Sequence, residues 1–158
     1  VTSIKEGVED LQRSKSDRFE NNRKIVVVRF DVDNKPVEIE VESKTIQAGD
    51  IIKLNGTMAS PVDLILLHTS LYKDGNQCYV ETSNIDGETN LKLRLAPAPC
   101  KALISSDAPK LDLFKGSIEF EKPNKNIHDF IGTIRLESFY EPIPLCADNM
   151  VLRGSIFS

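Results

Sequence analysis

The sequence of 158 residues predicts a mainly β domain of the sandwich or jelly-roll type, with a helical segment at its N-terminus. Three observations support this prediction. Apolar and acidic residues alternate strictly from Val37 to Glu42, and several other short apolar runs follow. The segments that separate these runs are rich in Gly, Pro and Asn, which form turns. Many short strands joined by such turns are typical of all-β domains.

The first 22 residues carry apolar side chains at helical spacing. The members of this stripe are Ile4, Val8, Leu11 and, more loosely, Phe19. Acidic residues lie toward the start of the segment, as is common in helices. We therefore predict a charged helical lead-in over residues 1–22 that packs through one narrow apolar stripe.

A period of two replaces the helical period after residue 24. In the first run the alternating residues are Val26, Val28, Phe30 and Val32. After the turn D-N-K-P, Val37, Ile39 and Val41 alternate with Glu38, Glu40 and Glu42. We predict a β-hairpin with one dry face, formed by the two apolar sets, and one acidic face in water.

Seven further short strands are predicted along the rest of the chain. They are Ile51 to Leu54, Leu64 to Leu67, Cys78 to Thr82, Leu91 to Leu95, Ser117 to Glu121, Phe130 to Leu136 and Met150 to Arg153. A stretch rich in Pro, Ala and Ser lies between Ala96 and Gly116. It predicts a surface excursion with one short helix between residues 100 and 116, around Asp112 to Lys115.

Composition excludes several classes of function. The formal charge of −4 provides no basic field, so nucleic acid is not expected as a partner. No apolar run approaches the ~18 residues that span a bilayer. Cys78, Cys100 and Cys146 fit neither a disulfide framework nor a zinc site. The phosphate-binding, dinucleotide-binding, zinc-protease and serine-hydrolase motifs are absent.

Because the sequence lacks an initiating Met and ends within an apparent strand, we expect a piece of a larger protein.

The segment S-N-I-D-G-E-T-N-L-K-L-R places Asp86 and Glu88 on either side of Gly87, between two predicted strands. Three interpretations compete: a catalytic acid or base, a pair of metal ligands, or an ordinary acidic turn. A glycosidase pair is disfavoured because aromatic residues are 6% and Trp is absent. A metal site lacks a third ligand. Because glycine permits positive φ and close approach, an exposed acid beside it is consistent with half an active site completed by another domain.

The run Asp86-Gly87-Glu88-Thr89, followed by N-L-K, resembles the actuator-domain loop of type IV P-type ATPases, the phospholipid flippases. The cation pumps of that superfamily carry T-G-E-S instead. Four other segments are similar to the family in the same order: I-K-E-G-V-E-D-L-Q, I-Q-A-G-D-I-I-K-L, the E-K-P-N segment, and P-L-C-A-D-N-M-V-L-R-G. The resemblance covers nearly the whole chain. One departure is Val62, where the family usually has Ala.

The resemblance implies a distorted, jelly-roll-like actuator domain, a single domain over residues 1–158. Residues 1–22 would lead in from the membrane, and residues 23–158 would form the β domain. It implies that Glu88 positions and deprotonates the water that attacks an aspartyl phosphate on another domain. Asp86, Gly87 and Thr89 would set the loop geometry and contact the phosphate, and we expect Asp86 to turn away and brace the loop. No cofactor or metal is expected within this chain, whereas the parent protein would use ATP and Mg²⁺.

The resemblance also implies partners. These are the phosphorylation and nucleotide-binding domains and the membrane helices of the same parent chain, an accessory subunit, and a phospholipid substrate. The parent would be a multi-pass membrane translocase with this domain on its cytosolic face, and the isolated domain would be inactive. Two alternatives remain from the residues alone: a non-enzymatic β interaction module with an acidic docking face, and a stand-alone hydrolase that uses Asp86 and Glu88.

Overall fold

A computed structural model describes Lys15 and residues 18–70, 76–103, 110–122 and 129–158. Within these residues the structure is mainly β, with short helices and several antiparallel sheets, which confirms the predicted fold class. The chain divides into two compact units, the first ending at Leu54 and the second beginning at Asn55.

The first unit is a small antiparallel sheet. Its strands are β1 (Lys24–Phe30), β2 (Pro36–Glu42) and β3 (Ile51–Lys53), in the order β2-β1-β3. Residues 18–22, before β1, are helical (α1). Ile4, Val8 and Leu11 lie outside the described residues, and Phe19 is 69% exposed. The predicted hairpin is confirmed, because β1 and β2 pair with each other in antiparallel orientation. Most of the predicted lead-in helix lies outside the described residues.

The predicted faces of this hairpin are wrong. Directly paired residues share a face, and the register pairs Val27 with Ile39 and Val28 with Glu38. The apolar residues of β2 therefore share a face with the odd-numbered residues of β1, not with Val26 and Val28. Val28 is nevertheless 2% exposed, so β1 is buried on both faces, and Val32 lies in the turn, 99% exposed.

The turn between β1 and β2 sets this register. Oδ1 of Asp31 accepts hydrogen bonds from the backbone N–H groups of Asp33 at 2.9 Å and Lys35 at 2.8 Å. Asn34 has a φ of 61°, a left-handed conformation that Asn tolerates. Because side chains alternate with a period of two, a register shifted by one residue exchanges the two faces. The apolar pattern alone could not show which register this turn selects.

The second unit contains eight strands and two short helices among its described residues. The strands are β4 (Leu64–Ile65), β5 (Gln77–Glu81), β6 (Lys92–Leu95), β7 (Gly116–Phe120), β8 (Gly132–Leu136), β9 (Ile143–Leu145), β10 (Met150–Val151) and β11 (Ile156–Phe157). The helices are α2 (Ser83–Asp86) and α3 (Ala98–Leu103). The sheets have the orders β10-β4, β11-β5-β6 and β7-β8-β9, and all pairs are antiparallel.

All seven of the later predicted strands are present, with shifted ends. Two strands, β9 and β11, are not among these seven. β9 lies in one of the Pro-containing segments that the sequence assigns to turns, but it is the edge strand of its sheet, where Pro144 is tolerated. β11 has only two residues and lies in the apparent strand at the end of the sequence. The predicted short helix is a 3₁₀ turn at Leu111–Phe114, and α3, in the same excursion, was not predicted separately.

Two buried amides hold the strands beside the segment from Thr82 to Leu91. Asn76 is fully buried; its Oδ1 accepts the N–H of Thr69 at 2.8 Å and its Nδ2 donates to the carbonyl of Leu67 at 3.1 Å. Nδ2 of Asn149 donates to the carbonyl of Leu95, the last residue of β6, at 2.8 Å. Since buried polar groups cost free energy unless they are hydrogen-bonded, these two amides favour one arrangement of the strands.

Gly116 is expected to be intolerant of any side chain. A Cβ at this position would stand 1.9 Å from the carbonyl oxygen of Arg135 on the paired strand β8. Gly116→Ala is therefore expected to lower the free energy of unfolding by ~1–3 kcal/mol, since the backbone must shift. Chemical denaturation of the 158-residue chain measures this. Ser117→Ala, at the exposed neighbouring position, is the control, with a change within ~0.5 kcal/mol; equal effects of the two variants would contradict the prediction.

Candidate functional site

The candidate site is the loop from Thr82 to Leu91, which joins β5 to β6. Its first part is one helical turn, α2, in which the carbonyl of Thr82 accepts the N–H groups of Ile85 at 2.9 Å and Asp86 at 3.0 Å. The N–H of Gly87 donates to the carbonyl of Ser83 at 3.0 Å and ends the turn. The sequence placed Gly87 between two strands, and the structure shows in addition that Gly87 ends a helical turn between them.

Gly87 is the residue that allows this turn to end. Its φ of 75° and ψ of 0° lie in the left-handed region, where glycine carries no Cβ penalty. Apart from Gly87 and its two chain neighbours, no described residue has a heavy atom within 4 Å of the position that a Cβ would occupy. Within this chain the requirement for glycine is therefore conformational, and the positive φ that the sequence indicated is present.

The carboxylate of Asp86 is turned into the loop and surrounded by donors. Its Oδ1 accepts the N–H of Glu88 at 3.0 Å, and the hydroxyl of Thr82 lies 3.0 and 3.1 Å from its two oxygens. Nζ of Lys92 lies 2.8 Å from Oδ2. The side chain is 13% exposed. The hydrogen bonds of this carboxylate are therefore made within the loop and with the first residue of β6.

Lys92, the first residue of β6, contacts both carboxylates of the loop. Its Nζ lies 2.8 Å from Oδ2 of Asp86 and 2.8 Å from Oε2 of Glu88. The side chain is 21% exposed. In the sequence this lysine was noted only as part of the N-L-K run that follows Thr89, and no function was predicted for it. The available signal was the position of a lysine four residues after Glu88 and six after Asp86.

These contacts shift two pKa values in opposite directions. The hydrogen bond from Lys92 and then that from the N–H of Glu88 lower the pKa of Asp86 from 3.8 to about 2. Hydrogen bonds to Asp86 and then to Glu88 raise the pKa of Lys92 above its usual 10.5. Asp86 and Lys92 are therefore both charged throughout the physiological range of pH.

Glu88 lies at the exposed end of the loop, and its side chain is 57% exposed. Its Oε2 lies 2.8 Å from Nζ of Lys92. Thr89, the next residue, is also exposed. An exposed carboxylate of this kind can orient a water molecule and accept a proton from it.

Other site types find less support in the described part of the chain. No group of three or more His, Cys, Asp or Glu residues there could hold a metal ion. Cys78, Cys100 and Cys146 are all free thiols. Burial lowers the pKa of His68, and His128 lies outside the described residues. No helix in the described segments has the length and apolar character needed to cross a bilayer.

Comparison with known proteins identifies relatives along nearly the whole chain. The chain is 38% identical over 155 residues to phospholipid-transporting ATPase 10 of Arabidopsis thaliana, and 38% identical over 161 residues to phospholipid-transporting ATPase IC of Homo sapiens. These alignments cover 98% and 99% of this chain. The chain is homologous to one segment of the phospholipid-transporting, type IV P-type ATPases. This segment spans 12% of the length of each relative. No family model matches it.

The pKa of Asp86 gives a direct test of the loop geometry. Lys92→Met is expected to raise that pKa from about 2 toward 3.8, because Lys92 is the largest cause of its lowering. Titration of the Asp86 carboxyl carbon by NMR in the 158-residue chain measures the change. Lys53→Met, which removes a lysine from β3, is the control and should leave the pKa of Asp86 unchanged. A wild-type midpoint near 3.8 would contradict the observed contacts.

The sign of the associated effect on stability follows from the direction of the shift. Since folding lowers the pKa of Asp86, its contribution to stability is present above pH 3.8 and is lost as the pH falls through about 2.

Proposed function

We propose that this chain is the actuator domain of a phospholipid-transporting P-type ATPase and that its D-G-E-T loop dephosphorylates an aspartyl phosphate on another domain of the same protein. One observation carries the proposal: Glu88 is 57% exposed at a loop end, with Oε2 held by Lys92 at 2.8 Å. A base that acts on a phosphate of another domain must be exposed in this way. The homology to phospholipid-transporting ATPases supports the identity of that phosphate.

In the proposed step, water attacks the phosphorus of the aspartyl phosphate. A new P–O bond forms to the water oxygen, and the bond from phosphorus to the aspartyl oxygen breaks. The aspartate leaves as a carboxylate, inorganic phosphate is released, and the carboxylate of Glu88 accepts the water proton. A positioned base of this kind contributes ~10²–10⁴-fold to the rate. The coupling of this hydrolysis to lipid transport belongs to the whole protein.

The other loop residues have supporting roles in this proposal. Gly87 ends α2 in the left-handed conformation and adds no side chain beside the phosphate. Thr89, exposed next to Glu88, offers its hydroxyl and N–H to the phosphate oxygens. Asp86 braces the loop through Thr82, the N–H of Glu88 and Lys92. Its oxygens point into the loop, which keeps this second negative charge away from the phosphate.

In this proposal the 158 residues form one actuator domain, with residues 1–22 leading in from the membrane. The parent is a multi-pass membrane translocase that carries the domain on its cytosolic face. Its phosphorylation and nucleotide-binding domains bind ATP and Mg²⁺, its membrane helices carry the phospholipid, and an accessory subunit completes it. No residue of this chain is assigned to the nucleotide or the metal ion.

Two features disfavour the alternative functions. The acidic face of β2 is partly neutralised, because Glu38 pairs with Lys53 at 2.5 Å and Glu42 pairs with Lys44 at 3.0 Å. It is therefore a weaker docking surface than the sequence indicated. A stand-alone hydrolase would need a second available carboxylate beside Glu88, but the oxygens of Asp86 are occupied by internal donors.

The proposal predicts that Glu88→Gln in the full-length parent slows the decay of the phosphoenzyme by ~10²–10⁴-fold, because the amide keeps the shape of the side chain but cannot accept the proton. Phosphoenzyme formed from radiolabelled ATP and chased with unlabelled ATP and phospholipid measures the decay. Glu40→Gln, at an exposed position of the acidic face, is the matched control and should decay at the wild-type rate. If Glu88→Gln decays like the wild type, Glu88 is not the base.

The 158-residue chain alone is predicted to release no phosphate from ATP. It carries neither the aspartate that is phosphorylated nor a phosphate-binding loop, so it holds only the second half of the reaction. A phosphate-release assay on the purified chain measures this. Turnover that disappears in the Glu88→Ala variant would favour the stand-alone hydrolase.

A further inference from the structure

We propose that Lys92 is a positioning residue for Glu88 and that Asp86 anchors this lysine, so that the three side chains act as one unit. This inference rests on the proposed function of Glu88. It assigns a task to Lys92 and explains why an aspartate stands at position 86.

The anchor of the lysine is the more rigid of its two contacts. Asp86 is 13% exposed and is also held by the hydroxyl of Thr82 and the N–H of Glu88. Lys92 begins β6 and pairs with the fully buried Val80 of β5, so its backbone is fixed by the sheet. Both ends of the contact between Asp86 and Lys92 are therefore positioned by secondary structure. A lysine on a solvated surface has no such constraint.

The contact with Glu88 is the functional one. Nζ of Lys92 lies 2.8 Å from Oε2 of Glu88 and restricts the rotamers of an otherwise exposed side chain. The side chain stays 57% exposed, so water can reach the carboxylate. Because catalysis depends on the position of the base, a lysine that limits the motion of this carboxylate raises the fraction of productive orientations.

The charge of Lys92 also acts on the two carboxylates themselves. Its ammonium lies 2.8 Å from an oxygen of Asp86 and 2.8 Å from an oxygen of Glu88, so it offsets the repulsion between these two like charges.

The experiment uses the full-length parent and the decay of radiolabelled phosphoenzyme. Lys92→Met is expected to slow decay by roughly 10- to 100-fold, the size expected for a misplaced catalytic group. Lys92→Arg, which keeps the cation, should restore most of the rate. Lys53→Met removes a lysine paired with a glutamate at 2.5 Å and is the matched control, with decay at the wild-type rate.

A double-mutant comparison separates positioning from a general structural role. If Lys92 acts through Glu88, then Lys92→Met should cause no further slowing in the Glu88→Gln background. Equal slowing in both backgrounds would overturn the inference, as would a wild-type rate in Lys92→Met alone. The Glu88→Gln variant alone tests the proposed function separately. If its phosphoenzyme decays slowly, the proposed function stands even when the inference about Lys92 fails; if it decays at the wild-type rate, the proposed function fails as well.

Asp86→Asn supplies the second test if Lys92→Met forms no phosphoenzyme. The amide oxygen can still accept the N–H of Glu88 and the hydroxyl of Thr82, but the charge that holds Lys92 is lost. Decay slower than wild type is expected, with no further slowing in the Glu88→Gln background. A wild-type rate of decay in Asp86→Asn would overturn the role of Asp86 as the anchor.

Discussion

Charge balance within the loop between β5 and β6 is the constraint on which the candidate site depends. Two carboxylates only two residues apart need compensation, and the structure supplies it with one ammonium 2.8 Å from each. The compensation is unequal. Asp86 is held inside the loop by several donors, whereas the side chain of Glu88 is 57% exposed and contacts Lys92. Two residues of the same chemical type thus acquire different environments from their positions around one glycine.

This local balance depends on the surrounding sheet. β5 lies between β11 and β6, so both strands that flank the loop are fixed by pairing. The amide of Asn149 binds the last carbonyl of β6, and Asn76 is buried just before β5 begins. Such polar anchors set the positions of strand ends more specifically than apolar packing does, because hydrogen bonds are directional. The loop can therefore be exposed while its ends remain fixed.

The sequence predicted the elements better than their relations. Alternation with a period of two and turn-forming residues located nearly every strand, and the D-G-E-T run located the candidate site. The faces of the first hairpin could not be predicted, because they follow from the hydrogen bonds of Asp31 within the turn. β9 was missed because the edge position that tolerates Pro144 is a property of the sheet. The contact between Asp86 and Lys92 was missed because α2 turns Asp86 toward this lysine, and a single helical turn leaves no periodic pattern in the sequence.

The pairing pattern also has a consequence for the order in which the chain assembles. The strands of the first unit are neighbours in sequence and can pair as soon as they leave the ribosome. The second unit is closed by contacts between distant residues, such as the hydrogen bond from Arg153 to Asp63 across 90 positions. Distant pairing forms slowly, because the intervening chain must first be ordered. During synthesis, the strand that precedes the D-G-E-T loop gains its neighbour β11 only when the last residues of this segment have been made.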